Sequence, residues 1–165
     1  MLIITALLAA PVGVAAQHPP MPPGMTHEEH MKQMEKEAEL NKRGAAAMGF
    51  DQHTTQHTFS AAEDGGTIAV DVKDAQDTAT RDQIRAHLKE IATAFAAGDF
   101  SKPFLTHGDV PPGVPVMTER KDAINYRYTD TPHGGIVRIR TTDAAALDAI
   151  HAFLAYQNQE HHPGS

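Results

Sequence analysis

The sequence predicts an α+β fold, a four-stranded antiparallel sheet with two helices on one face. Two glycine pairs and two stretches of helical periodicity predict it. Gly65-Gly66 and Gly134-Gly135 each separate runs of alternating apolar residues, as in a hairpin whose turn needs positive φ. After each hairpin comes a segment with apolar residues at three- and four-residue steps. The order strand, Gly-Gly, strand, helix therefore occurs twice and reads as an internal ββα duplication. The far face of the sheet is then either solvated or paired with a second copy, giving a homodimer through the sheet.

The 165 residues are one domain's worth once both ends are set aside. Residues 1–16, MLIITALLAAPVGVAA, have an apolar run too short to span a bilayer. Val14-Ala15-Ala16 offers the small residues that a signal peptidase needs before Gln17. The positive charge of such a leader would come from the amino terminus or from residues upstream. Export to the periplasm or beyond follows, with no stable membrane insertion after cleavage. Residues 17–47 form a His/Met/Pro-rich segment, extended at first. Thr26-His27-Glu28-Glu29 is a capping box that starts a helix from His27 to about Arg43, stopped by Gly44.

Residues 48–162 are the folded domain. His57, Phe59 and Ala61 alternate on one strand, Glu63-Asp64-Gly65-Gly66 turns, and Ile68, Val70 and Val72 line the return. Ile84, Leu88, Ile91 and Phe95 mark the first core helix, which ends near Gly98-Asp99. Phe100 to Glu119 holds Pro103, Pro111, Pro112 and Pro115 and reads as a structureless crossover. Ile124, Tyr126 and Tyr128 then alternate, Pro132-His133-Gly134-Gly135 turns, and Val137 and Ile139 return. Thr141-Thr142-Asp143 starts the second core helix, with Leu147, Ile150, His151 and Leu154 on one face; Gln159 to Ser165 frays.

Composition narrows the chemistry. The formal charge of −7, without a basic run, disfavours nucleic acid. The absence of cysteine removes disulfides, thiolate metal sites and cysteine nucleophiles. Eleven histidines and seven methionines are the excess that needs explaining. On the amino-terminal helix, His27, His30, Met31 and Met34 share one side, and imidazole with thioether is a soft ligand set that suits copper, Cu(I) above all. In the domain, His87 and His151 each sit on an apolar helix face in what read as equivalent places, and His57 points into the same layer. With His107 on the crossover they are candidate ligands for copper, with zinc or a haem iron as lesser alternatives, and Asp109 or Asp148 as orienting acceptors. The competing reading makes each a core histidine bonded to a carbonyl, and the methionines adaptable apolar contacts. Catalysis finds little support, because the chain has no nucleophile elbow, phosphate-binding loop or dinucleotide fingerprint.

Several short motifs recur in a fixed order: Met48-Gly49-Phe50-Asp51-Gln52, His57 with Phe59, Ile84-Arg85-x-His87-Leu88, Pro111-Pro112-Gly113-Val114, and Ala149-Ile150-His151-x-Phe153-Leu154. In this order the chain resembles a family of small, mostly uncharacterised exported bacterial proteins, over residues 48–162. Members are sometimes labelled aspartate carbamoyltransferase, a larger enzyme with a Ser-Thr-Arg-Thr-type loop that this chain lacks. The resemblance implies a shared fold and supplies no site residues. The function expected is thus an exported transition-metal protein that sequesters or handles copper. The alternatives are a metal-free ligand-binding or dimerisation module and, further off, a small histidine-dependent hydrolase or transferase.

Overall fold

A computed structural model describes residues 23–161. The leader, the start of the proline-rich stretch with His18 and Met21, and His162 in the tail lie outside the described residues. The strands are β1 (Thr55–Ala62), β2 (Gly65–Val72), β3 (Ile124–Asp130) and β4 (Gly134–Thr141). They form one antiparallel sheet in the order β1-β2-β4-β3, so the two hairpins join through β2 and β4. The helices are α1 (His27–Met48), α2 (Thr78–Ala96), α3 (Ser101–His107), α4 (Val114–Glu119) and α5 (Ala144–His161). The α+β class and the antiparallel sheet agree with the sequence reading.

Each core helix crosses to the other hairpin. The helix after β2, α2, lies mainly over β3 and β4, and α5 lies mainly over β1 and β2. Ile84, Leu88, Ile91 and Phe95 of α2 and Ile150, Phe153 and Leu154 of α5 are buried against Phe59, Ile68, Val70, Val137 and Ile139 of the sheet. The opposite face of the sheet is polar and carries Thr58, Ser60, Arg127, Arg138 and Arg140, with Asp64 3.6 Å from Arg138 and 3.0 Å from Arg140.

The crossing is tied down reciprocally. Arg85 on α2 donates to Gly134 O at 3.0 Å and Thr131 O at 2.6 Å. His151 on α5 donates through Nε2 to Ala62 O at 2.9 Å and Gly65 O at 3.1 Å. Both hairpin ends are thus satisfied by a side chain from the helix passing over them. Backbone bonds repeat the exchange, from Val72 N to His133 O and from Thr141 N to Asp64 O, each at 2.9 Å.

Four local expectations need correction. The glycine pairs are not the turns: Gly65-Gly66 and Gly134-Gly135 begin the returning strands. Gly65 does take a positive φ, 142°, but the other three serve close approach, since a Cβ on Gly66 would strike Leu154 Cδ1, one on Gly134 would strike Val70 O, and one on Gly135 would lie 2.7 Å from Tyr128 Cε2 and 3.2 Å from Leu88 Cδ1. Gly44 does not stop α1, which runs to Met48 and ends at left-handed Gly49, φ 83°, whose N–H reaches Ala45 O. Gly44 stays helical and leaves room for the Gln52 side chain. The proline-rich crossover is not structureless. It holds α3 and α4, because Pro103 and Pro115 fall in first turns, where a missing N–H costs no intrahelical bond. Finally, α5 does not fray at Gln159 but continues to His161.

Gly66→Ala should lower the unfolding free energy by about 1–3 kcal/mol, because a methyl group is forced between α5 and β1. Urea unfolding should show the midpoint falling with the slope unchanged. An equal midpoint would mean that the helix does not press on this glycine.

Candidate functional site

A cavity of about 70 Å³ lies between the sheet and the crossing helices. Phe59, Ile68 and Val70 form its floor, and Leu88, Ile91, Phe95 and Phe153 its helical walls. Met48 from the end of α1, with Lys102 and Pro103 from α3, covers it. Into this hydrocarbon lining project three imidazoles, His57, His87 and His161, with the amide of Gln157 beside them.

The backbone dictates these positions. His57 is the central inward residue of β1, 7% exposed, between inward Thr55 and Phe59. His161 ends α5 and follows Ile150, Phe153, Leu154 and Gln157 on one helical face. The His57 and His161 rings stack with centroids 4.9 Å apart, and His161 also stacks on Phe59 at 5.3 Å. His161 Nδ1 lies 3.1 Å from Gln52 Oε1, an acceptor, so Nδ1 carries the proton in this contact. His87 comes from α2 and meets the edge of Phe50 at 5.6 Å, and Phe50 in turn stacks on His57 at 6.3 Å. Phe50 thereby links the two imidazoles.

His87 is held neutral. Burial, and secondly the Lys102 ammonium, push its pKa down to about 4 from an ordinary 6.5, with Glu90 opposing weakly. Lys102 itself is bound to Glu90 at 2.8 Å at the rim of the cavity. Near neutral pH His87 therefore offers the cavity one ring N–H and one lone pair without a charge.

The sequence-predicted residues do not converge as expected. His57 and His87 share the cavity. His151 does not line it, because its ring is committed to the carbonyls of Ala62 and Gly65 at the far end of the hairpin. The counterpart of His151 is Arg85, which makes the matching contact on the other hairpin, and not His87. Helical spacing gives the face of a residue but not the strand beneath it. His107 is the last residue of α3. His27, His30, Met31 and Met34 lie on α1 and are not cavity residues. His161, Phe50, Gln52, Gln157 and Lys102 escaped the sequence reading. Extending the apolar face of α5 past Gln159 would have found His161.

No three His, Cys, Asp or Glu side chains among the described residues are grouped to hold a metal. The described lining contains no hydroxyl, thiol or carboxylate. Ser60 faces outward from β1 and Ser101 is exposed. The arrangement can hold a small molecule and hydrogen-bond to it, and the imidazoles and the Lys102 amine are the groups of the lining that could exchange a proton with it.

The depressed pKa of His87 sets a pH dependence. Between 6.5 and about 4 the unfolded chain takes up a proton that folded His87 refuses, so stability falls as pH falls through that window. The loss approaches roughly 3 kcal/mol at most, since each unit of displacement corresponds to about 1.4 kcal/mol. His87→Leu should flatten the urea-midpoint profile across that range; an unchanged slope would show that His87 protonates freely in the folded protein.

None of the family models, curated proteins or solved structures compared with the chain matches it, and no family is assigned.

Proposed function

We propose that this chain is an exported binding module that holds a small, uncharged, largely apolar molecule against His57, His87 and His161. One observation carries the reading: three imidazoles, with the Gln157 amide beside them, enter a cavity whose lining is otherwise mostly apolar. The volume of about 70 Å³ excludes a haem and is about half of what a benzene ring fills, so a phenol-sized ring is the upper limit and would reach into the open mouth of the cavity. The apolar segment from Leu2 to Val14, followed by Ala15-Ala16, supports export. No described helix is long and apolar enough to cross a membrane.

We further infer that the two halves descend from one ββα unit, and this sharpens the reading. Aligning Gly65-Gly66 with Gly134-Gly135 sets His57 over Tyr126 and Phe59 over Tyr128. Aligning the helices by the leucines that meet Gly66 and Gly135 sets His151 over Arg85 and His161 over Phe95. The second hairpin thus packs Tyr126 against Phe95 at 5.8 Å where the first stacks His57 on His161 at 4.9 Å. One half fills this layer with aromatic rings; its counterpart supplies imidazoles. The change at the helix position, Phe95 in one half and His161 in the other, replaces a hydrocarbon ring by one that hydrogen-bonds, and packing alone would not call for it.

Titration of the protein with phenol and with benzene, followed by NMR of the Phe59, Val70 and Ile91 side chains, tests the proposal. Both should shift these signals saturably, with phenol binding roughly three- to tenfold more tightly because its hydroxyl bonds to an imidazole. His87→Leu should abolish the preference while leaving benzene binding intact. Failure of both molecules to perturb the lining would sink the proposal.

A further inference from the structure

The His/Met cluster of α1 lies apart from the cavity, and the function proposed above does not use it. The capping box forms as the sequence requires: Glu29 N donates to Thr26 Oγ1 at 3.3 Å, and Thr26 N donates to Glu29 Oε2 at 2.8 Å. This fixes the first turn and with it the directions of the side chains that follow. At about 100° and 1.5 Å per residue, His27, His30, Met31 and Met34 fall within about a 100° arc and about 10 Å of helix length. His27 with Met31, and His30 with Met34, are i,i+4 neighbours.

Their surroundings select the kind of ion. Oxygen donors are close by but already engaged: Glu28 pairs with Lys32 at 2.7 Å, and Glu29 is taken by both the N–H and the hydroxyl of Thr26. Nitrogen and thioether sulfur remain. Met31 is 40% exposed, so a large apolar side chain with a soft donor stands in solvent where packing does not require it. His30 Nε2 is enclosed without a hydrogen-bond partner among the described residues, so no protein bond competes with a ligand bond once the ring turns this nitrogen outward. The positive end of the helix dipole works against any cation here, and the carboxylates of Glu28 and Glu29 in the same turn offset it.

We propose that the first turns of α1 form a Cu(I)-capture site, with His30 and Met34 as the anchoring pair and His27 and Met31 completing a set of two nitrogens and two sulfurs. Thioether with imidazole is a soft set and the chain has no thiolate to compete with it, so Cu(I) is favoured over zinc, calcium and magnesium. Binding is simple coordination, with no change in the oxidation state of the metal.

The test is an anaerobic competition of the full chain against a chromophoric Cu(I) chelator, with a parallel Zn(II) titration. The wild type should withdraw one Cu(I) and show sulfur neighbours in its X-ray absorption spectrum. The double variant M31L/M34L keeps the helix and its apolar surface, so circular dichroism should not change. Its Cu(I) affinity should fall more than about tenfold, with the sulfur signal lost and Zn(II) affinity unchanged. H27Q/H30Q should weaken Cu(I) while retaining sulfur neighbours. Absence of Cu(I) uptake by the wild type, a nitrogen-only spectrum, or undiminished affinity in M31L/M34L would each overturn the proposal. The last two results would move the metal to other histidines.

Discussion

Leu154 can rest on Gly66 only because that strand position has no Cβ, and Gly135 makes the same room for Tyr128 and, less tightly, for Leu88. The remainder of the architecture follows from this constraint. Each helix must come near enough to the opposite hairpin for Arg85 or His151 to reach the carbonyls at its end. Neither hairpin is completed by its own helix, so the halves fold as one cooperative unit with a shared apolar layer. The cavity occupies the part of that layer where the side chains stop being purely hydrocarbon.

Its polarity is balanced rather than neutralised. His87 remains uncharged because water is largely excluded and because Lys102 stands nearby with Glu90. The His57 and His161 rings are held by stacking on each other and on Phe59, an arrangement that tolerates two neutral imidazoles far better than two imidazolium ions. The ligand proposed for such a lining brings a hydrogen-bonding group without a net charge, because the Lys102 ammonium at the rim is already paired with Glu90 and neutral His87 supplies no charge.

The strands and core helices were legible because their periods are clean: Ile68, Val70 and Val72 alternate, and Ile84, Leu88, Ile91 and Phe95 keep helical step. What failed was inference across elements. Gly65-Gly66 resembles turn chemistry, yet the small size of Gly66 is spent on a contact with α5, far along the chain, and that of Gly65 on the backbone of β4. His151 and His87 occupy similar faces, but one ends over a hairpin terminus and the other over an aromatic cluster. Prolines that signalled irregular chain were compatible with short helices, because each helical one fell in a first turn. His161 was discounted for its nearness to the carboxyl end, although the helix period carries the buried face as far as that residue.

The bond between His161 and Gln52 joins residues 109 apart in sequence. Hairpins and helices can form from neighbouring residues, but this contact requires both ends of the folded unit to meet, and long loops close late and slowly. The cavity wall is therefore a feature of the finished fold and of no earlier state. A partly folded chain would contain the sheet, and even α2 with His87, and still have no enclosed site. Closing the cavity wall and joining the two ends of the folded unit are one and the same contact.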